Sequence, residues 1–191
     1  QLYLREGGRV LAGLQKLEVP LFLDLKFHDI PHTVGQAVRA VAPWRPRFLT
    51  VHATGGKEMM EAAVSHAFPE TKILGVTLLT SLTPEAVRAT GWVGGVDETV
   101  GNLSALARAA GLAGIVCSPH EAKKERGAWG PLAEIVTPGV RPPGSKADDQ
   151  ARSKSPAEAI AAGASRIVVG RPILHAPDPE GVLDSILAGE G

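Results

Sequence analysis

In the segment Leu23-Asp24-Leu25-Lys26-Phe27-His28-Asp29-Ile30-Pro31-His32-Thr33-Val34, a carboxylate and an amine stand two residues apart inside an apolar run. Alternate side chains of a strand share a face, so Asp24 and Lys26 project together while Leu23 and Leu25 face the other way. A carboxylate beside an ammonium favours the charged form of both, leaving a protonated lysine able to donate a proton or stabilise a developing anion. Asp29, just past the strand, extends the array. A lone Asp/Lys pair is more often a plain structural ion pair, and the clustering of three charges at one apolar strand end weakens that reading. His28 and His32 with Asp24 and Asp29 form a metal-ligand set as the alternative, which Pro31 disfavours by breaking the helix that would align the two histidines.

A second constellation lies near the other end of the chain, in Ile167-Val168-Val169-Gly170-Arg171-Pro172-Ile173. Glycine lets a backbone amide approach an anion and arginine adds a two-pronged donor; Arg141, after the preceding strand, points to the same region. Together they read as a phosphate grip. Between them, the polar, Pro- and Gly-punctuated stretch from Val140 to Lys154 reads as a lid. His52-Ala53-Thr54-Gly55-Gly56 fits either an anion-binding turn or a tight strand-to-helix turn, and Thr77 and Thr80 could offer hydroxyls to a ligand.

These residues must be carried by a regular frame. Apolar, branched runs recur at Pro20–Leu25, Arg47–Val51, Ile73–Leu79, Gly114–Cys117, Glu134–Thr137 and Arg166–Val169, and read as buried strands. Helix patterns fall between them at Thr33–Val41, Lys57–Ala67, Pro84–Ala89 and Glu98–Ala109, with another at Pro179–Leu187 and one before the first strand over Gln1–Leu17. Ser118-Pro119-His120-Glu121 and Ser155-Pro156-Ala157-Glu158 each predict a capped helix start, with serine at the cap and glutamate three residues on. Strands alternating with helices give an α/β class with parallel pairing, as an open doubly wound sheet or a closed barrel. The chain has neither a Gly-x-Gly-x-x-Gly after a strand nor a Walker-type loop, which weakens the nucleotide-binding open sheets.

Composition sets the outer bounds. The chain has 191 residues, 44% of them hydrophobic, and 20 Lys+Arg offset 20 Asp+Glu. This describes one globular domain with no general attraction to nucleic acid, so an anion must be held locally. Cys117, the single cysteine, sits in an apolar run and reads as a buried thiol, which points to the cytoplasm. No apolar stretch approaches the roughly 20 residues that span a bilayer, and residues 1–5 are not a signal peptide.

With these residues in view, the chain resembles orotidine 5′-phosphate decarboxylase. The likeness rests on Asp24 to Val34, His52 to Gly56, Val76-Thr77-Leu78-Leu79-Thr80-Ser81, Thr137-Pro138-Gly139-Val140-Arg141-Pro142, Asp149-Gln150 and Val169 to Ile173, in order along nearly the whole chain. It implies a TIM (β/α)8 barrel that takes orotidine 5′-phosphate to uridine 5′-phosphate and carbon dioxide in pyrimidine synthesis, without cofactor or metal, as a homodimer with shared active sites. By the same likeness Lys26 is the proton donor and Asp24 its charged neighbour, while Asp29, Ile30 and Thr33 reach the partner's site. Thr80 contacts the substrate near its pyrimidine, Gln150 lies on the closing lid, and Arg141, Gly170 and Arg171 hold the phosphate. Two departures stand out. His32 occupies a position where that family usually has Asn, and the first two barrel strands, with an Asp and a Lys of the family's charge array, do not precede Gln1. The expectation is one barrel domain over residues 1–191, N-terminally incomplete; a molecule truly beginning at Gln1 would have an open edge and negligible activity. A metal-dependent sugar-phosphate decarboxylase or isomerase on the same barrel, or a non-catalytic phosphate-ligand-binding barrel, are the competing readings.

Overall fold

The computed structural model describes residues 2–141 and 154–189. Two short helices, α1 (Leu2–Glu6) and α2 (Gly8–Gln15), precede strand β1 (Phe22–Phe27), then α3 (Pro31–Val41), β2 (Phe48–His52), α4 (Gly56–His66) and β3 (Lys72–Val76). The chain continues through α5 (Pro84–Ala89), α6 (Val96–Ala109), β4 (Gly114–Val116), α7 (Ala122–Trp129) and β5 (Glu134–Thr137). It closes with α8 (Pro156–Ala161), β6 (Arg166–Ile167), α9 (Arg171–Leu174) and α10 (Pro179–Leu187). The strands form one parallel sheet in sequence order, β1 to β6, as the crossover helices require.

The sheet is curled into part of a barrel, and two side chains measure the curl. Arg166 of β6 places its guanidinium carbon 4.8 Å from the ring centre of Phe48 on β2. Four strand spacings separate these strands, about 19 Å on a flat sheet, so only a curled one brings them together. Alternation then divides the apolar residues. Phe48, Leu74, Val76, Val116 and Val136 pack inside the curl with Phe22, whereas Leu49, Val51, Ile73, Ile115, Cys117 and Ile135 face outward against Val34, Val38, Met59, Met60 and Leu103 of the helices. Cys117 is fully buried there. Gly114 is glycine for a steric reason: a Cβ on β4 would stand 1.9 Å from the Glu134 carbonyl oxygen of β5.

Helix boundaries follow local chemistry. The Ser155 capping box forms as expected: Ser155 Oγ accepts from the Glu158 amide at 3.2 Å and the Glu158 carboxylate accepts from the Ser155 amide at 2.8 Å. The one at Ser118 forms by half. Glu121 accepts from the Ser118 amide at 2.7 Å, but Ser118 Oγ takes the His120 amide at 3.3 Å, closing a turn instead. The helix therefore starts at Ala122. The single helix expected over Gln1–Leu17 is broken at Gly7, whose φ of 58° is left-handed and ends α1. Among the described residues no helix is long and apolar enough to cross a membrane.

Candidate active site

Lys26 lies near the C-terminal end of β1, and its geometry begins with a defect in the ladder. Leu23 pairs with Leu49 and Phe27 with Val51, so four steps along β1 answer two along β2. The surplus bulges out, and Lys26 takes φ 50°, a left-handed conformation that costs a non-glycine residue about 1–3 kcal/mol. Thr50 of β2, wholly buried, meets this bulge. Its Oγ1 accepts from the Lys26 amide at 2.9 Å and donates to Asp24 Oδ1 at 2.8 Å. Asp24 Oδ2 in turn accepts from the Lys26 ammonium.

The pair faces a cavity of about 190 Å³ whose other walls are mostly apolar: Phe22, Val76, Leu78, Leu79, Val116, Pro138 and Val168, with Thr80 at the rim. One ion pair against apolar walls, open to solvent, suits a largely apolar ligand with a charged or polar group to be met at one edge. Next to the pair, burial, reinforced by His28 and Lys26, lowers the His52 imidazole below its ordinary value against the opposing pull of Asp24. The His28 and His52 rings lie 5.4 Å apart, and His28 Nε2 sits 3.3 Å from Thr54 Oγ1. Among the described residues no three His, Cys, Asp or Glu side chains converge as a metal site.

Of the residues singled out in the sequence, Asp24, Lys26 and Thr80 share this cavity. Asp29, Ile30 and Thr33 do not line it. Asp29 Oδ1 accepts from the Ile30 amide at 2.7 Å beside the start of α3, and Ile30 is 65% exposed. Arg141 follows β5, where its amide donates to the Lys154 carbonyl at 3.0 Å and Val140 bridges Lys154. The two ends of the expected lid are thus held side by side, while Gln150 lies outside the described residues. β6 ends at Ile167, short of the expected Val169, and after Val168 and Val169 Gly170 caps α9, whose first residue is Arg171. Thr77 turns away, giving its hydroxyl to the Val116 carbonyl at 3.1 Å. Sequence reasoning passed over Thr50; its place two residues before His52, on the face that carries Phe48, is the period-two signal that could have found it.

A family model described as Orotidine 5′-phosphate decarboxylase / HUMPS family matches residues 1–186. The chain is 50% identical to an orotidine 5′-phosphate decarboxylase of Anaeromyxobacter dehalogenans over 99% of its own length and 83% of that protein's. To one of Thermobifida fusca it is also 50% identical, over 100% of this chain and 81% of the relative. A crystal structure of orotidine 5′-phosphate decarboxylase from Lactobacillus acidophilus superposes with a TM-score of 0.83 at 35% identity, covering 96% of this chain and 80% of that one.

Proposed function

The chain belongs to the orotidine 5′-phosphate decarboxylase / HUMPS family, and from that premise we propose that it converts orotidine 5′-phosphate to uridine 5′-phosphate and carbon dioxide, with Lys26 as proton donor. One observation carries the reading: the Asp24–Lys26 pair, fixed at a strand end, faces an otherwise apolar cavity. Departure of carbon dioxide leaves an electron pair on a ring carbon with little resonance relief, so stabilisation must come from charge already in position. The Lys26 ammonium meets that pair and then transfers its proton to the same carbon. The resulting neutral amine regains a proton from solvent. Asp24, paired with the ammonium, aims it at that carbon until the proton is transferred.

The remaining roles follow the family likeness residue by residue. Thr80 contacts the pyrimidine end. Arg141, Gly170 and Arg171 hold the phosphate, and Gln150 joins them from the segment that closes over the substrate. Contacts to the phosphate do no bond-breaking; they convert remote binding energy into closure and exclusion of water. Asp29, Ile30 and Thr33 serve the neighbouring site of a cytoplasmic homodimer, a role supported by their position off their own cavity and by the exposure of Ile30.

The test is an ultraviolet assay of orotidine 5′-phosphate loss by the purified full-length protein, with and without chelator. Turnover that survives chelation is expected. Loss of activity on chelation would move the chain to the metal-dependent sugar-phosphate enzymes of the same barrel. Tight uridine 5′-phosphate binding by calorimetry without turnover would make it a phosphate-ligand-binding barrel.

A further inference from the structure

We infer that Thr50 is a positioning residue for the reaction, its single hydroxyl setting both the backbone and the side chain of Lys26; this rests on the decarboxylase reading above. The hydrogen bonds form a closed circuit through three residues. The Lys26 amide donates to Thr50 Oγ1 at 2.9 Å, that hydroxyl donates to Asp24 Oδ1 at 2.8 Å, and the other Asp24 oxygen holds the Lys26 ammonium.

Each link has a separate consequence. The bulge removes the Lys26 amide from the regular β1–β2 ladder, and a backbone donor without a partner would not keep a lysine at φ 50°. Thr50 supplies that partner from the neighbouring strand. Its own hydrogen has one use left, and it goes to Asp24, whose two oxygens are thereby assigned: one to the hydroxyl and one to the ammonium. Fixing the carboxylate plane fixes where the ammonium sits. Thr50 is completely buried, so water does not substitute for its hydroxyl, whereas Asp24 and Lys26 are 46% and 37% exposed and depend on this partner for a unique rotamer. The β-branched threonine adds stiffness at χ1, which a serine lacks.

The experiment compares Thr50→Val, Thr50→Ser and Thr50→Cys in the full chain, measuring kcat and KM for orotidine 5′-phosphate and calorimetric affinity for uridine 5′-phosphate. Valine keeps the shape and removes the hydroxyl. Its kcat is expected to fall by about 10²-fold, the scale of loss when a reacting group is misplaced by about an ångström, with KM and product affinity within about threefold of the parent. Serine restores kcat to within about fivefold, and cysteine, a weaker donor, falls between serine and valine. A folded valine variant with parental kcat would overturn the inference, as would a loss shared equally by kcat and product affinity. Should valine fail to give folded protein, serine against cysteine decides: equal kcat sinks the inference and a fivefold or greater deficit for cysteine at unchanged KM upholds it. An inactive parent sinks the decarboxylase reading and takes this one with it; an active parent beside an equally active valine variant sinks this one alone.

Discussion

Two clusters of opposite charge occupy the inside of the curled sheet, one toward each end of its strands. Toward the C-terminal end, Asp24 and Lys26 pair in an open cleft with more than a third of each side chain exposed. At the N-terminal end, Glu134 is only 7% exposed and takes Lys72 Nζ at 2.6 Å, Arg166 Nε at 3.2 Å and Ser165 Oγ at 2.9 Å. Lys72, Glu134 and Arg166 are the first residues of β3, β5 and β6, and together they tie three strands across the floor of the curl. Both clusters are ion pairs, and their surroundings separate them. The exposed pair adds little to stability because water screens it, about 0–1 kcal/mol at most, and its ammonium is accessible to a ligand. The floor cluster buries its carboxylate under three partners, and only its cations, Lys72 and Arg166, reach solvent. In a parallel barrel the C-terminal ends of strands carry chemistry and the N-terminal ends carry stability, and here a carboxylate paired with a lysine stands at both ends.

The largest expected effect tests the first half of that contrast. Lys26→Ala should lower kcat by at least about 10⁴-fold, since proton donation and charge stabilisation are lost together, while the thermal midpoint moves by no more than about 2 °C. Near-normal turnover would remove Lys26 from the mechanism. A large fall in midpoint would mean that the open pair supports the fold after all. The mirror experiment is Glu134→Ala. Removing the shared carboxylate takes away the hydrogen bonds from Lys72 and Ser165 and the pairing with Arg166, and the unfolding free energy in urea should drop by about 1–3 kcal/mol. The folded remainder should keep kcat within about twofold, the sites being at opposite strand ends. An equal loss of kcat would erase the distinction between the two clusters.

Arg171→Ala sharpens the picture at the ligand end, with a smaller expected effect. Turnover of orotidine 5′-phosphate should fall by about 10²-fold in kcat/KM, whereas the nucleoside lacking phosphate should be turned over almost as well as by the parent. Equal losses on the two substrates would show that Arg171 acts through the fold and not through the phosphate.

The sequence makes one cluster far more visible than the other. Asp24 and Lys26 are two residues apart, so strand periodicity alone puts them on one face, and the six strands that frame them stand out as short branched runs. Glu134, Lys72 and Arg166 are separated by 62 and 32 positions, and each reads simply as the charged end of an apolar run; only the curl of the sheet brings them together. The bulge at Lys26 is invisible for a related reason. It depends on the register of β1 against β2, a long-range property, and it is where Thr50 becomes a partner. At the helix ends local chemistry sufficed for Ser155 but not for Ser118, whose hydroxyl found a nearer amide. The residues expected to hold a phosphate were placed after strands by the pattern, and the structure sets Arg141 and Gly170–Arg171 in the segments that follow β5 and β6.

The smallest expected effect concerns acid, and it distinguishes a charged floor from a merely hydrogen-bonded one. Burial tends to raise the Glu134 carboxyl, but the hydrogen bonds from Lys72 and Ser165 and the charges of Arg166 and Lys72 outweigh it, leaving the carboxyl below its ordinary value of 4.5. A carboxyl lowered on folding stabilises the folded state fully above 4.5, and that contribution is lost as pH falls through the lower folded value. Protonation removes the charge while keeping most of the side chain in place, so the loss is smaller than for Glu134→Ala. The measurement is the difference in urea midpoint between parent and Glu134→Gln from pH 7 to pH 3, which cancels the titration of every other carboxylate. That difference should be constant from pH 7 to about pH 5 and shrink below 4.5. A difference that persists unchanged to pH 3 would mean that shape and hydrogen bonding, not charge, hold the floor, and the two ends of the sheet would then differ in kind as well as in exposure.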